Sequence, residues 1–198
     1  MFTRIKKNNY WGSDESVSGG GSTLVQTQKL IVELSKLLQN KEIKSMIDIP
    51  CGDFNWMQKV NLDNIRYTGA DIVDELICEN IQKYEANNIK FQVLDIIRDP
   101  IPANDLIFIR DCFVHLSYND IFKAIANIKK SGCKYLLTTT FTDRHSNYDI
   151  ITGEWRPLNF QNKPFLFPTP EHILIEDCTE GDGEFIDKSM GLWRIERI

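Results

Sequence analysis

Short apolar runs recur along the chain, separated by stretches with helical spacing. The runs fall near 45–49, 66–71, 90–95, 105–109 and 134–140, each the length of a strand buried on both faces. Between them, 73–86 and 118–130 carry apolar residues three and four apart, the period of an amphipathic helix. A further helix starts after Ser22 or Thr23, either of which can cap it, with Leu24, Ile31, Leu34 and Leu38 marking its apolar face. Buried strands alternating with amphipathic helices predict a doubly wound α/β domain, its sheet mostly parallel and its helices on both faces. After the fifth run the pattern changes. Residues 142–170 have no helical period and hold Pro157, Pro164 and Pro168 among Trp155, Phe160, Phe165 and Phe167. So aromatic an insertion is expected to be ordered and to serve the site. Two last runs, 172–178 and 190–195, flank Gly181-Asp182-Gly183 and predict an antiparallel strand pair.

The break after the first run is where ligand chemistry is expected. Met46-Ile47-Asp48-Ile49 gives way to Pro50-Cys51-Gly52-Asp53, and then to Phe54, Met57 and Val60 at helical spacing. That order predicts a strand, a tight turn and a helix whose free amides face the turn. The second strand ends in Asp71, where nucleotide-binding folds of this class place an acid on the ribose hydroxyls. Asp48, Asp71, Asp95, Arg110-Asp111 and Asp143 all follow strands, on the edge where such sheets bind ligands. Any one of them reads as a helix cap; together on one edge they predict a site. Residues 1–22 hold Trp11, Gly21 and Ser22 in a Gly/Ser-rich stretch, which reads either as a linker or as a lid over the ligand.

Composition narrows the classes. At 198 residues with 42% apolar content, one globular domain spanning 1–198 is expected. A formal charge of -5 without a large Lys/Arg cluster argues against a nucleic-acid partner. The five cysteines are widely spaced with no CxxC pair, which argues against a zinc site or disulfide framework and for a reducing compartment. No stretch approaches membrane-spanning length and no leader-like apolar region opens the chain, so a cytoplasmic location is expected, with no membrane insertion.

With its five parallel strands, edge of acids and terminal antiparallel pair, the chain resembles the class I S-adenosylmethionine-dependent methyltransferases from about Tyr10 to Ile198. The resemblance implies a Rossmann-like sheet with S-adenosylmethionine as cofactor and S-adenosylhomocysteine as product. It implies that Asp48 closes the first strand before the turn Pro50, Cys51, Gly52, and that Asp71 holds the ribose with Ile72 beside the adenine. Asp95 and Ile96 would meet the adenine edge. Arg110 and Asp111 would border the cofactor, and Trp11, Gly21 and Ser22 would cover it. The family's common GxGxG turn is reduced here to Gly52. Trp11-Gly12-Ser13, Trp155-Arg156-Pro157-Leu158-Asn159 and Thr179-Glu180-Gly181 resemble, more narrowly, sugar O-methylating enzymes of bacteria and of virus glycan-synthesis proteins. The expected reaction is O-methylation of a sugar, a glycan or another small hydroxyl acceptor.

A hydroxyl acceptor calls for a base, and Asp111, His115 and Asp143 are the candidates, with His145 behind them. Asp111 and Asp143 also have the oxygen chemistry for a divalent cation, but no metal is assigned. Arg156, Asn159 and Glu154 are expected to offer hydrogen bonds to the acceptor. The alternatives are an N-methyltransferase acting on a small amine or protein side chain, and a cofactor-binding module without turnover. A nicotinamide dehydrogenase would want G-x-G-x-x-G after the first strand, which is absent.

Overall fold

The computed structural model describes every residue except Met1, Asn9 and Trp11; the side chains of Ile5 and Lys7 are also left out. Trp11, expected to cover the cofactor, therefore lies outside the described residues. Seven strands form one sheet: β1 (Ser45–Asp48), β2 (Arg66–Asp71), β3 (Ile89–Val93), β4 (Leu106–Ile109), β5 (Tyr135–Phe141), β6 (His172–Ile175) and β7 (Lys188–Arg194). Their order across the sheet is β3-β2-β1-β4-β5-β7-β6. The first five are mutually parallel, and β7 runs antiparallel between β5 and β6. The expected mostly parallel sheet with a terminal antiparallel pair is present.

Alternation along the strands divides the core. Met46, Tyr67, Phe108 and Leu137 face α2 (Leu24–Asn40), which contributes Leu30, Leu34, Leu37 and Leu38. Their neighbours Ile47, Ile107, Ile109 and Leu136 face α4 (Tyr118–Lys130) through Ile121, Ala124, Ile125 and Ile128. α3 (Asp74–Tyr84) packs Ile77 on the same side as α2, and a short α1 (Phe2–Lys7) precedes them. Side chains cap the two longest helices: Thr23 accepts from the Gln26 amide, and Ser117 from that of Asp120. Leu24, expected on the apolar face of its helix, is exposed in the first turn, and Leu30 and Leu37 take its place.

Two expectations are corrected. The helix after the first turn is reduced to one 3₁₀ turn, Met57–Lys59. Gly52 and Phe54 both have positive φ (56° and 59°), and Asp53 accepts from the Asn55 amide. This local turn chemistry wins over the apolar spacing, because a helix cannot run through left-handed residues. Phe54, Met57 and Val60 are still buried, reaching the core from a loop.

The second correction concerns 142–170. It is irregular as expected, but Leu158, Phe160 and Phe167 are core residues, packed with Trp193 on the α4 side of the sheet. Arg156 is fully buried and donates to the carbonyls of Tyr148, Phe113 and Leu116. Asn159 donates to the carbonyls of Thr142 and Arg144, and the Glu154 carboxylate accepts from the Ile151 amide. Arg156 and Asn159 thus brace the insertion itself. A peptide without helix or sheet partners must find others for its buried carbonyls, and these side chains provide them.

Candidate active site

The parallel strands β1, β2 and β4 end around a cavity of about 350 Å³, lined by Asp48, Pro50, Cys51, Gly52, Asp71, Ile72, Asp95, Ile96, Arg110, Asp111 and His115. A volume of that order suits a ligand of cofactor size. The front wall is the N-terminal segment: Val17, Ser18 and Ser22 line the cavity, joined by Phe2 and Lys6 of α1. The segment is fastened by the turn after β1. Asp53 accepts from the Ser16 hydroxyl and the Val17 amide, both at 3.0 Å, and Asn55 donates to Glu15 and to the Ser22 carbonyl. A Cβ on Gly52 would collide with Ser18 Oγ as it stands, and its φ of 56° also favours glycine, so the strap lies close against the turn here.

Two buried carboxylates stand on the β1–β2 side. Asp71 accepts from the Val73 amide at 2.9 Å and the Gly52 amide at 3.3 Å; burial raises its pKa and these bonds oppose the rise. Asp48 is 2% exposed. Its Oδ2 accepts from the Tyr67 hydroxyl at 2.7 Å, while Oδ1 is buried with no protein hydrogen-bond partner. Burial pushes the Asp48 pKa up to about 8, against the Tyr67 bond. A buried acceptor without a partner is costly, and this one belongs to a residue lining the cavity. Asp95 closes its own turn, accepting from the Ile97 amide.

On the β4 side, Asp111 has φ 52° and its N–H donates to Thr139 Oγ1 at 2.9 Å. Burial acts to raise its pKa, but Lys188 at 2.6 Å and Arg110 at 3.3 Å outweigh it and hold the carboxyl at about 2. The candidate bases Asp111 and His115 do not share a helical face: the local helix is only the 3₁₀ turn Phe113–His115, with Asp111 outside it. His115 Nδ1 is 3.0 Å from the Glu154 carbonyl oxygen. A carbonyl only accepts, so Nδ1 carries the proton and the lone pair is on Nε2. Burial lowers the His115 pKa, which favours the neutral ring.

Other expected residues are placed differently. Gly21 is not among the lining residues; its carbonyl accepts from Arg110 Nη2 at 2.9 Å. Asp143 is exposed and outside the cavity, its amide donating to Asp187, and His145 is exposed too. Asp111 and Asp143 therefore do not form a paired cation site. Among the described residues no group of three His, Cys, Asp or Glu side chains is arranged to hold a metal ion, and no helix is long and apolar enough to cross a membrane. The sequence reading missed Lys188, Glu176 and the fastening role of Asp53. A lysine opening the last strand carried no sequence signal, but the Asp53-x-Asn55 spacing after a glycine is a readable turn motif.

No protein-family model matches the sequence, and the search of curated proteins gives no match. Solved structures do share the fold. The N-methyltransferase NodS from Bradyrhizobium japonicum WM9, in complex with S-adenosyl-L-homocysteine, superposes with a TM-score of 0.68 at 15% identity, over 97% of each chain. Human N-acetylserotonin methyltransferase in complex with S-adenosylmethionine gives 0.64 at 16%, covering 98% of this chain and 58% of that one, so the chain spans less than two thirds of that enzyme. Magnesium protoporphyrin IX methyltransferase from Synechocystis PCC 6803 gives 0.54 at 14%, over 75% and 76% of the two chains. At these identities the likeness is one of fold: a Rossmann-like methyltransferase sheet.

Proposed function

We propose that the chain is an S-adenosylmethionine-dependent methyltransferase that methylates a hydroxyl of a sugar, a glycan or another small acceptor. The observation that carries this reading is the buried, unpartnered Oδ1 of Asp48 at a cavity that also gathers Asp71 and Asp95. The cofactor has a cationic amino-acid end, a ribose diol and an adenine. Asp48 fits the ammonium, Asp71 the diol, and Asp95 with Ile72 and Ile96 the base; Arg110 and Ser22 offer donors near the carboxylate. The bound cofactor supplies a methyl already activated on a sulfonium.

The protein's part is then to align the acceptor and take its proton. What supports His115 in this role is that its Nδ1–H donates to the Glu154 carbonyl, which leaves Nε2 as the basic nitrogen. Asp111 is too acidic to serve as the base, and its fixed negative charge instead favours the imidazolium. Beside Glu154, Trp155 is 42% exposed and packs edge-on against Phe185, their centroids 4.9 Å apart. Its exposed ring, backed by Phe141 and Phe185, offers an apolar face suited to a sugar or another ring. NodS is an N-methyltransferase, so an amine acceptor is the second reading.

Calorimetry with S-adenosylhomocysteine tests the cofactor assignment: binding is expected, and Asp71→Ala should weaken it more than ~10-fold by leaving the diol unpaired. Absence of binding by the intact protein would overturn the proposal. A methyl-donor assay over neutral sugars, phenols and amines then separates the two acceptor readings.

A further inference from the structure

Four charged side chains meet behind the His115 side of the cavity. Arg110 and Asp111 follow β4, Glu176 follows β6, and Lys188 opens β7. Lys188 Nζ donates to Asp111 Oδ2 at 2.6 Å and lies 3.8 Å from Glu176 Oε2. Arg110 places Nε at 3.1 Å and Nη2 at 2.7 Å from the same Glu176 oxygen, and Nη1 3.3 Å from Asp111. The side chains of Arg110, Glu176 and Lys188 are 5%, 1% and 6% exposed, while that of Asp111 is 29% exposed.

Two positive and two negative charges balance, so no single charge is stranded. Balance alone does not account for them, since buried ion pairs are replaceable by apolar residues without loss of stability. Two members line the cavity, Arg110 and Asp111; Asp111 is the more exposed of them, and its backbone is held in the left-handed region. Lys188 binds Asp111 directly, and Glu176 in turn holds both Lys188 and Arg110.

We infer that Lys188 is a positioning residue: it holds the Asp111 carboxylate on the cavity wall beside His115, where it meets the positive charge the imidazole gains on accepting the acceptor's proton. This rests on the methyl-transfer reading above. In that reaction the acceptor oxygen bonds to the methyl carbon as the carbon–sulfur bond breaks, and the hydroxyl proton passes to His115 Nε2. One positive charge therefore leaves sulfur and one appears on the ring. Burial opposes the charged ring most; among the described groups that act on His115, the Glu154 carbonyl and the Asp111 carboxylate favour the imidazolium, and the Arg156 and Lys188 cations oppose it. Lys188 works against His115 directly and for it through Asp111.

The test follows the His115 ring by NMR titration in the full chain without cofactor, its signal identified with His115→Gln. Asp111→Asn should lower the titration midpoint by about half a pH unit or more, because the ring loses its fixed counter-charge. Lys188→Met should lower it too, because losing the held Asp111 carboxylate outweighs losing the opposing cation, and Lys188→Arg should restore the original midpoint. S-adenosylhomocysteine affinity should stay within about threefold in both Lys188 variants. A midpoint unmoved by Asp111→Asn, or unmoved or raised by Lys188→Met with the fold intact, would overturn the inference. Should Lys188→Met fail to fold, Asp111→Asn and Lys188→Arg decide it alone. Because the titration needs no cofactor, its failure is distinct from a failure to bind S-adenosylhomocysteine, which would overturn the functional reading instead.

Discussion

Asp48 sets stability against binding within one side chain. Its pKa is about 8 in the folded protein and 3.8 in an unfolded chain, so between those values the folded state holds a proton that the unfolded state releases. This group's contribution is therefore fully present below pH 4 and is lost as the pH rises toward 8. Asp48→Asn removes the dependence, and urea denaturation at pH 8 should find the variant more stable by about 2 kcal/mol or more. The same variant should bind S-adenosylhomocysteine more weakly, and wild-type binding should release protons near neutral pH, visible as calorimetric heats that depend on the buffer. His115 gives the complementary case. His115→Ala should leave S-adenosylhomocysteine affinity within about threefold and lower turnover on a hydroxyl acceptor by ~10²-fold. Retained turnover would move the base elsewhere or mean that the acceptor needs none.

At the scale of elements, the N-terminal strap is the part of the site that is fastened rather than packed. Most of its hold on the sheet edge passes through polar side chains: Asp53 on Ser16 and Val17, Asn55 on Glu15 and Ser22, Arg110 on Gly21. Such contacts open locally at little cost to the rest of the fold. Asp53→Ala should therefore speed hydrogen exchange across 13–22 and weaken S-adenosylhomocysteine binding several-fold, while shifting the thermal midpoint by only a few degrees. Unchanged exchange would show that the strap is held by something other than the turn. This segment also shows what the sequence could say. Its glycines and serines suit linker and lid alike, and the choice rests on Asp53, whose partners are more than thirty residues away.

Over the whole molecule, the parts legible in the sequence are those that depend on local pattern. Helix 118–130 matches to the residue because Ser117 caps it and its apolar spacing is regular. The strand-end acids were legible because a parallel sheet brings all such ends to one edge. Lys188, Glu176 and Arg156 were not, since each acts on a segment 40 to 77 residues away in the chain. Arg156 is the sharpest example, a charged residue that looked like a ligand contact and instead holds the insertion to the 113–116 turn. Arg156→Met would leave three carbonyls without their donor, and chemical denaturation should show a loss of about 3 kcal/mol; a loss below about 1 kcal/mol would mean that the insertion is anchored elsewhere. The order of the sheet has a consequence for how the molecule is made. β7, the last strand of the sequence, lies between β5 and β6. Until it docks, β5 presents an open edge, β6 has no neighbour, and Asp111 and Glu176 lack Lys188. During synthesis the nascent domain therefore stays unfinished at its sheet and at its charged centre together, and both close in the same late event.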